Sequence, residues 1–287
     1  MNKNLLNISG KISEPIVKIY ELIAEVANKN KVIFFVIGAS ARDMVFEYGY
    51  NIKASRATRD IDLAVQVATW DEFQSLKSAL IATGYFAHSK MMQRIHYQNE
   101  IPIDIVPFGA IAADDKTISW PPDDSVKMNV TGFNDAYHAT QTVRLRESPI
   151  LDIPIVTPAA LVILKLMAWK DRSSEHSKDA IDLAFILRCY LNAGHTERLI
   201  EEHSDLLDEN FDFERSGARM LGRDVASIVS AQSKQMLNEI LSAETEEQKI
   251  YRLVEAMTNQ QDGRLFENNL ALLNALHLGL SETLMSR

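Results

Sequence analysis

The sequence predicts an α+β protein, with strands and helices interleaved up to about residue 156 and helices alone from 157 onward. Three observations predict it. Val32 to Ile37 is a short apolar run of the kind that forms a buried strand. Asp60-Ile61-Asp62-Leu63 and Ile101 to Val106 alternate at period two, the spacing of a strand with two different faces. Beyond Thr157 the apolar residues recur at steps of three and four, the helical period.

Taken in order, Ile16, Ile19, Tyr20, Ile23, Val26 and Ala27 place a helix over 13–29 that covers a sheet. The strand of Val32 to Ile37 follows and breaks at Gly38, where Ser40 is placed to cap a helix over about 40–49. Asn51 to Arg59 is a polar loop carrying Lys53, Arg56 and Arg59. After the Asp60–Leu63 strand, Phe73, Leu76 and Leu80 give a helix over 70–82 one apolar face. Strands are expected from Gly84, over Arg94 to Gln98, and over Ile101 to Phe108. Trp120-Pro121-Pro122-Asp123-Asp124 is a turn. Met128–Gly132 and Tyr137–Leu145 are expected to pair as a hairpin, and Pro149–Val156 is a further strand. Thr157-Pro158 starts a helix through Lys170, with Thr at the cap and Pro in the first turn. More helices are expected over 177–192, 196–207, 214–241, 245–258 and 264–278. Two domains follow, 1–156 with strands and 157–287 without.

Composition narrows the function classes. The chain has 287 residues, 46% hydrophobic and 24% charged, which is ordinary for a globular protein with ample core. A net charge of −9 argues against an extended, sequence-blind nucleic-acid surface, which needs clustered Lys and Arg, but leaves room for a local basic site. The one cysteine, Cys189, rules out an internal disulfide framework and fits a reducing cytosol; its apolar helical setting favours an inert buried thiol over a nucleophile. No signal-peptide core and no long uncharged apolar run is present, so a cytoplasmic location away from membranes is expected.

The chemistry concentrates at Gly38-Ala39-Ser40, Asp60-Ile61-Asp62 and Asp104. Backbone N–H groups left open at a strand-to-helix turn bind phosphate. Period-two spacing puts Asp60 and Asp62 on one face, with Ile61 and Leu63 on the other. Three carboxylates on adjacent strands beside such a turn make a Mg²⁺ site, because Mg²⁺ takes oxygen ligands and usually combines a few carboxylates with substrate phosphates. Two such ions, about 3.5–4 Å apart, clamp the attacking and leaving oxygens of an in-line phosphoryl displacement. With 39 acidic residues in the chain, an Asp-x-Asp pair alone is weak evidence; turn, pair and later Asp in this order are stronger. Arg42, in the first turn of the helix, either reaches a triphosphate or is a solvated surface residue. Lys53, Arg56 and Arg59 either neutralise substrate phosphates or balance nearby carboxylates. His88 and His96 lack the spacing of a helical zinc pair and are read as scaffold. In the second domain Lys165 interrupts an apolar helix and must snorkel to water or meet an anion, and Asp179 and Asp182 share a face of the next helix.

These motifs resemble the nucleotidyltransferase superfamily that includes DNA polymerase β, over roughly the first 110 residues. The pattern there is Gly-Ser or Gly-Gly, a helix, Asp-x-Asp or Asp-x-Glu, and a later Asp on a neighbouring strand; this chain has Gly-Ala-Ser at the turn. Leu164-Lys165-Leu166-Met167-Ala168, followed by Lys178-Asp179-Ala180-Ile181-Asp182-Leu183, is similar to a later motif of the AbiEii-type enzymes, toxins of bacterial toxin–antitoxin and abortive-infection systems. The resemblance implies a short mixed sheet flanked by helices, and transfer of a nucleoside monophosphate from an NTP with Mg²⁺, two ions, Mn²⁺ being a possible substitute. It implies Asp60, Asp62 and Asp104 as catalytic metal ligands, and Gly38, Ala39, Ser40, Arg42, Lys165 and Asp182 as nucleotide contacts, with Asp179 as an alternative to Asp182. The acceptor it implies is a tRNA 3′ end, a protein hydroxyl or a small molecule, and a cognate antitoxin is an implied partner. The helical domain would shape the nucleotide and acceptor cleft. Two alternatives stand beside this: a structural Lys165–Asp pair between packed helices, and a non-catalytic relative that binds nucleotide or a partner.

Overall fold

The computed structural model describes residues 5–55, 58–172, 177–207, 212–245, 251–258 and 263–282. The chain forms two compact units, Met1–Thr157 and Pro158–Arg287. The first holds a mixed sheet with helices and the second is helical, the α+β architecture expected from the sequence.

The first unit contains β1 (Leu5–Asn7), α1 (Glu14–Asn30), β2 (Ile33–Ile37), α2 (Gly38–Asp43), β3 (Ile61–Gln66), α3 (Trp70–Ala82), β4 (Phe86–His88), β5 (Arg94–Tyr97), β6 (Ile101–Phe108), β7 (Thr117–Trp120), β8 (Val126–Asn129), α4 (Phe133–His138), β9 (Thr140–Glu147) and β10 (Ile150–Val156). Past α2 the helix continues in wide π turns over Met44–Gly49. The eight-stranded sheet has the order β1-β9-β10-β2-β3-β6-β5-β4, and β7 pairs with β8 separately. At its centre β2 runs antiparallel to β3, and β3 runs parallel to β6. Period-two alternation then decides the two faces. Ile61, Leu63 and Val65 are buried on one face. On the other, Asp62 and Ala64 lie in line with Phe35, which is opposite Ala64, and with Phe108, which is opposite Gln66. Phe35 meets Phe108 edge-on at 5.4 Å and stacks on Tyr137 at 6.0 Å, while Phe108 lies 6.1 Å from Phe133. Each such pair contributes about 0.5–1.5 kcal/mol beyond its buried area, so the face carrying Asp62 has a rigid aromatic floor.

Three expectations are corrected. Tyr137 begins no strand: Phe133–His138 is helical after Gly132, and the strand starts at Thr140 and pairs with β10. The hairpin is instead β7–β8, closed over the Pro121-Pro122 turn. In the second unit, the single helix expected over 214–241 is two. Val229 is extended and Ser230 receives the Ser233 N–H, so the chain is re-capped there. The parallel edge strand β1 had no signal beyond three residues, too short a run for periodicity.

The second unit comprises α5 (Pro158–Arg172), α6 (Lys178–Cys189), α7 (Thr196–Glu202), α8 (Phe213–Ile228), α9 (Ala231–Thr245), α10 (Arg252–Thr258) and α11 (Gly263–Ser281). Helices α8 and α11 cross at backbone contact. A Cβ on Gly222 would lie 2.2 Å from the Leu276 carbonyl, and one on Gly279 would lie 2.0 Å from the Arg219 carbonyl.

Candidate active site

The site in the first unit is built at the end of β2. Ile37 is extended and Gly38 turns the chain with φ +67°, a left-handed conformation that costs an L side chain about 1–2 kcal/mol. A Cβ on Gly38 would also sit 2.1 Å from Asp62 Oδ2. Glycine is therefore required twice over, once by the turn and once by the carboxylate pressed against it. The helix starts at Gly38, two residues earlier than expected, so Ser40 does not cap it. Ser40 Oγ donates back to the Ile37 carbonyl at 3.2 Å, and the Ser40 side chain hydrogen-bonds Tyr20. Burial drives the Tyr20 hydroxyl well above its ordinary pKa, the Ser40 bond opposes this, and the charge of Asp62 adds to it, so Tyr20 is a neutral phenol under the turn.

The carboxylates come from register. Ile37 pairs with Asp62, and Asp62 pairs with Asp104 across the parallel β3–β6 ladder. Asp60 lies just before β3. Opposite Asp104, across the antiparallel β5–β6 pair, stands Arg94. Its guanidinium forks onto Asp104, Nε to Oδ1 at 2.7 Å and Nη2 to Oδ2 at 2.7 Å, and Nη2 lies 3.9 Å from Asp60 Oδ2. The bond to Asp104 raises the Arg94 pKa, and the charges of Asp104, Asp60 and Asp62 raise it further against the cost of burial. Among the described residues no three His, Cys, Asp or Glu side chains are arranged around a common ligand point. These carboxylates are instead gathered about a cation supplied by the chain. All-oxygen donors neutralised by one guanidinium, beside a turn that admits no Cβ, fit a hard divalent ion.

Arg42 is buried, not a solvated surface residue. It is 1% exposed, and its Nε and Nη2 both donate to Asp43 Oδ1, at 2.8 and 2.6 Å. These bonds tie its guanidinium to the neighbouring side chain of α2. Of the loop cations, Lys53 lies 3.6 Å from Glu47, Arg59 lines a cleft, and Arg56 is outside the described residues. That cleft, about 350 Å³, is bounded by Ile16, Tyr20, Ser40, Tyr48, Asp60 and Ile101. His88 is exposed and His96 half-buried on the adjacent strands β4 and β5.

In the helical unit, Lys165 is 8% exposed and Asp182 is fully buried. Lys165 Nζ lies 2.9 Å from Asp179 Oδ1 and 2.7 Å from Asp182 Oδ2. Both carboxylates of the α6 motif are thus brought to one ammonium. Desolvation lowers the Lys165 pKa, but the two carboxylates outweigh it and the net direction is upward. Cys189 is a half-buried free thiol whose pKa is raised by burial, which suits an inert side chain.

Comparison with known proteins places the chain. The family model for the nucleotidyl transferase AbiEii toxin of type IV toxin–antitoxin systems matches residues 45–260. The chain belongs to the AbiEii nucleotidyltransferase family. It is a nucleotidyltransferase. The match spans Asp60, Asp62, Asp104, Lys165, Asp179 and Asp182, while Gly38 to Arg42 precede it. No curated protein matches the sequence. Among solved structures, the antibiotic-resistance factor ANT(2'')-Ia is 11% identical, covers 69% of this chain and 98% of its own, and has a TM-score of 0.35. A CCA-adding enzyme in complex with ATP is 15% identical, covers 90% of this chain and 66% of its own, and has a TM-score of 0.33. Among the described residues of this AbiEii-family chain, no helix is long and apolar enough to cross a membrane.

Two residues beside the candidate site carry no motif in the sequence. Tyr20 belongs to the packing stripe of α1, and Arg94 opens β5. An arginine opening a strand carries no motif, and only the β5–β6 register reveals what it faces.

Proposed function

We propose that this chain transfers a nucleoside monophosphate from an NTP to an acceptor hydroxyl or comparable nucleophile, using Mg²⁺ held by Asp60, Asp62 and Asp104. The observation that carries this reading is the register that sets Asp62 beside Asp104, one strand from the Gly38 turn. When bound, Mg²⁺ supplies charge neutralisation and orientation to the triphosphate. The chain's own residues do the rest. Backbone N–H groups of Gly38, Ala39 and Ser40 hold phosphate oxygens at the turn. Asp104 takes the proton of the acceptor as its oxygen bonds to the α-phosphorus, and the bond to the bridging oxygen breaks to release pyrophosphate. Arg42, through Asp43, keeps the first turn of α2 in place. Lys165, positioned by Asp179 and Asp182, contacts nucleotide phosphate, as the AbiEii-type motif implies.

The acceptor is a tRNA 3′ end, a protein hydroxyl or a small molecule; the charge of −9 disfavours a long RNA held along an extended surface. The family description supports a toxin role, and a cognate antitoxin is the partner such a role would call for. The test is incubation with each α-labelled NTP, Mg²⁺ or Mn²⁺, and a panel of tRNA, protein and aminoglycoside acceptors. Label is expected on one acceptor class from wild type and on none from Asp62→Asn, with both proteins melting alike without metal. Undiminished transfer by Asp62→Asn would refute the assignment.

A further inference from the structure

Arg94 supplies these carboxylates with the positive charge that a bound metal would otherwise bring. It comes from β5, opposite Asp104 in the ladder, so its position is dictated by the sheet. Its fork takes both oxygens of Asp104 at 2.7 Å, and the same guanidinium approaches Asp60 at 3.9 Å. The pair is largely shielded, with Arg94 25% and Asp104 20% exposed. An arginine never gives up its proton, so this cation is removed only by movement. A sheet that gathers like charges on one face is destabilised unless something cancels them.

We infer that Arg94 is an internal counter-ion that a divalent metal must displace, so that metal loading at this site is an exchange of guanidinium for metal. The inference rests on the metal reading of Asp60, Asp62 and Asp104 proposed above. With the fork closed, the guanidinium takes one in-plane lone pair on each Asp104 oxygen, and its positive charge opposes a metal that approaches the others. With the fork open, the guanidinium is released toward solvent or toward an arriving anion. The site therefore resists free metal while its carboxylates remain neutralised. Replacing Arg94 by Gln keeps a polar side chain and removes the competitor, so metal binding should strengthen. If Arg94 were an ordinary scaffold residue, its loss would loosen the carboxylates and weaken metal binding.

The experiment is titration of the full chain with Mn²⁺ alone, free Mn²⁺ being read by electron paramagnetic resonance, for wild type, Arg94→Gln, Arg94→Lys and Asp62→Asn. Arg94→Gln should bind Mn²⁺ about tenfold tighter than wild type, the factor that corresponds to about 1.4 kcal/mol of lost competition. Arg94→Lys keeps the charge but not the planar fork, so its affinity should fall between the two. If Arg94→Gln does not fold, the Lys variant carries the test in the same direction. Without metal Arg94→Gln should melt below wild type, and saturating Mn²⁺ should close the gap. Mn²⁺ binding that depends on Asp62 but is unchanged or weakened in both Arg94 variants would overturn the exchange alone. Binding that is absent, or indifferent to Asp62→Asn, would overturn the metal reading and the exchange with it.

Discussion

Replacing Lys165 by Met tests two roles at once. The stem's volume is kept and only the ammonium is lost. In the structure that ammonium is the shared partner of Asp179 and of Asp182, the latter with no exposed surface. Stranding a buried charge by removing one partner costs about 3–5 kcal/mol. For a unit the size of Pro158–Arg287, each kcal/mol moves the melting temperature by about 4 °C. Lys165→Met should therefore lower the melting of the helical unit by about 12–20 °C. Adding Asp182→Leu removes the buried carboxylate that has lost its ammonium and should recover much of the loss, because an apolar replacement of a buried pair is usually tolerated. The nucleotide role is read from the increment that ligand adds. Saturation at 100 times Kd stabilises a folded protein by about 2.7 kcal/mol. Wild type should show that increment with Mg²⁺ and NTP; the double mutant, stable but without the ammonium, should show little of it. Differential scanning calorimetry of wild type, single and double mutants, with and without Mg²⁺ and NTP, gives every quantity. A single mutant melting within about 2 °C of wild type would refute the buried-pair energetics. A double mutant with the full NTP increment would remove Lys165 from the nucleotide site.

Two further outcomes follow from the geometry. Gly38→Ala should lower stability by at least about 1–2 kcal/mol from the left-handed turn alone, and the 2.1 Å approach of its Cβ to Asp62 Oδ2 should displace that carboxylate and abolish transfer; chemical denaturation and the labelling assay check both. His195, stacked on Tyr190 at 4.1 Å and facing Arg198 and Asp224, has its pKa lowered from 6.5 to about 4, chiefly by burial and then by Arg198, while Asp224 opposes. A depressed histidine pKa means the unfolded chain binds the proton first, so the histidine's contribution is full above pH 6.5 and is lost as pH falls through the window from 6.5 to about 4. The stability difference between wild type and His195→Gln should slope across that window and be flat above it; a difference independent of pH would refute the burial.

Much of the fold was legible because its signals are local. Residues 14–30, 70–82 and 158–172 are helical and 33–37, 61–66 and 101–108 are strands, as the apolar periods indicate. The failures came where a short polar device outweighs a weak period. Ser230 re-caps the chain within the single helix expected over 214–241, and after Gly132 a helical turn runs into the start of the strand expected from Tyr137. Ser40 did not cap because a glycine in the left-handed region already turns the chain, and its hydroxyl is bonded to Ile37 and Tyr20 instead.

By itself the sequence determined the longer strands and helices, the alternation that runs through Asp60-Ile61-Asp62, and the turn at Gly38, because each depends on residues within one turn or one strand. The tertiary structure alone decided what those residues meet. That Asp104 stands beside Asp62, that Arg94 forks onto Asp104, and that one lysine holds both Asp179 and Asp182 are matters of register and helix packing between distant segments. A ladder of backbone hydrogen bonds is blind to side-chain identity, and a slip of one residue would turn each carboxylate to the opposite face. The pairing is chosen by the burial of Ile61, Leu63, Ile103 and Ile105 on the far side, and the acidic face follows from that choice.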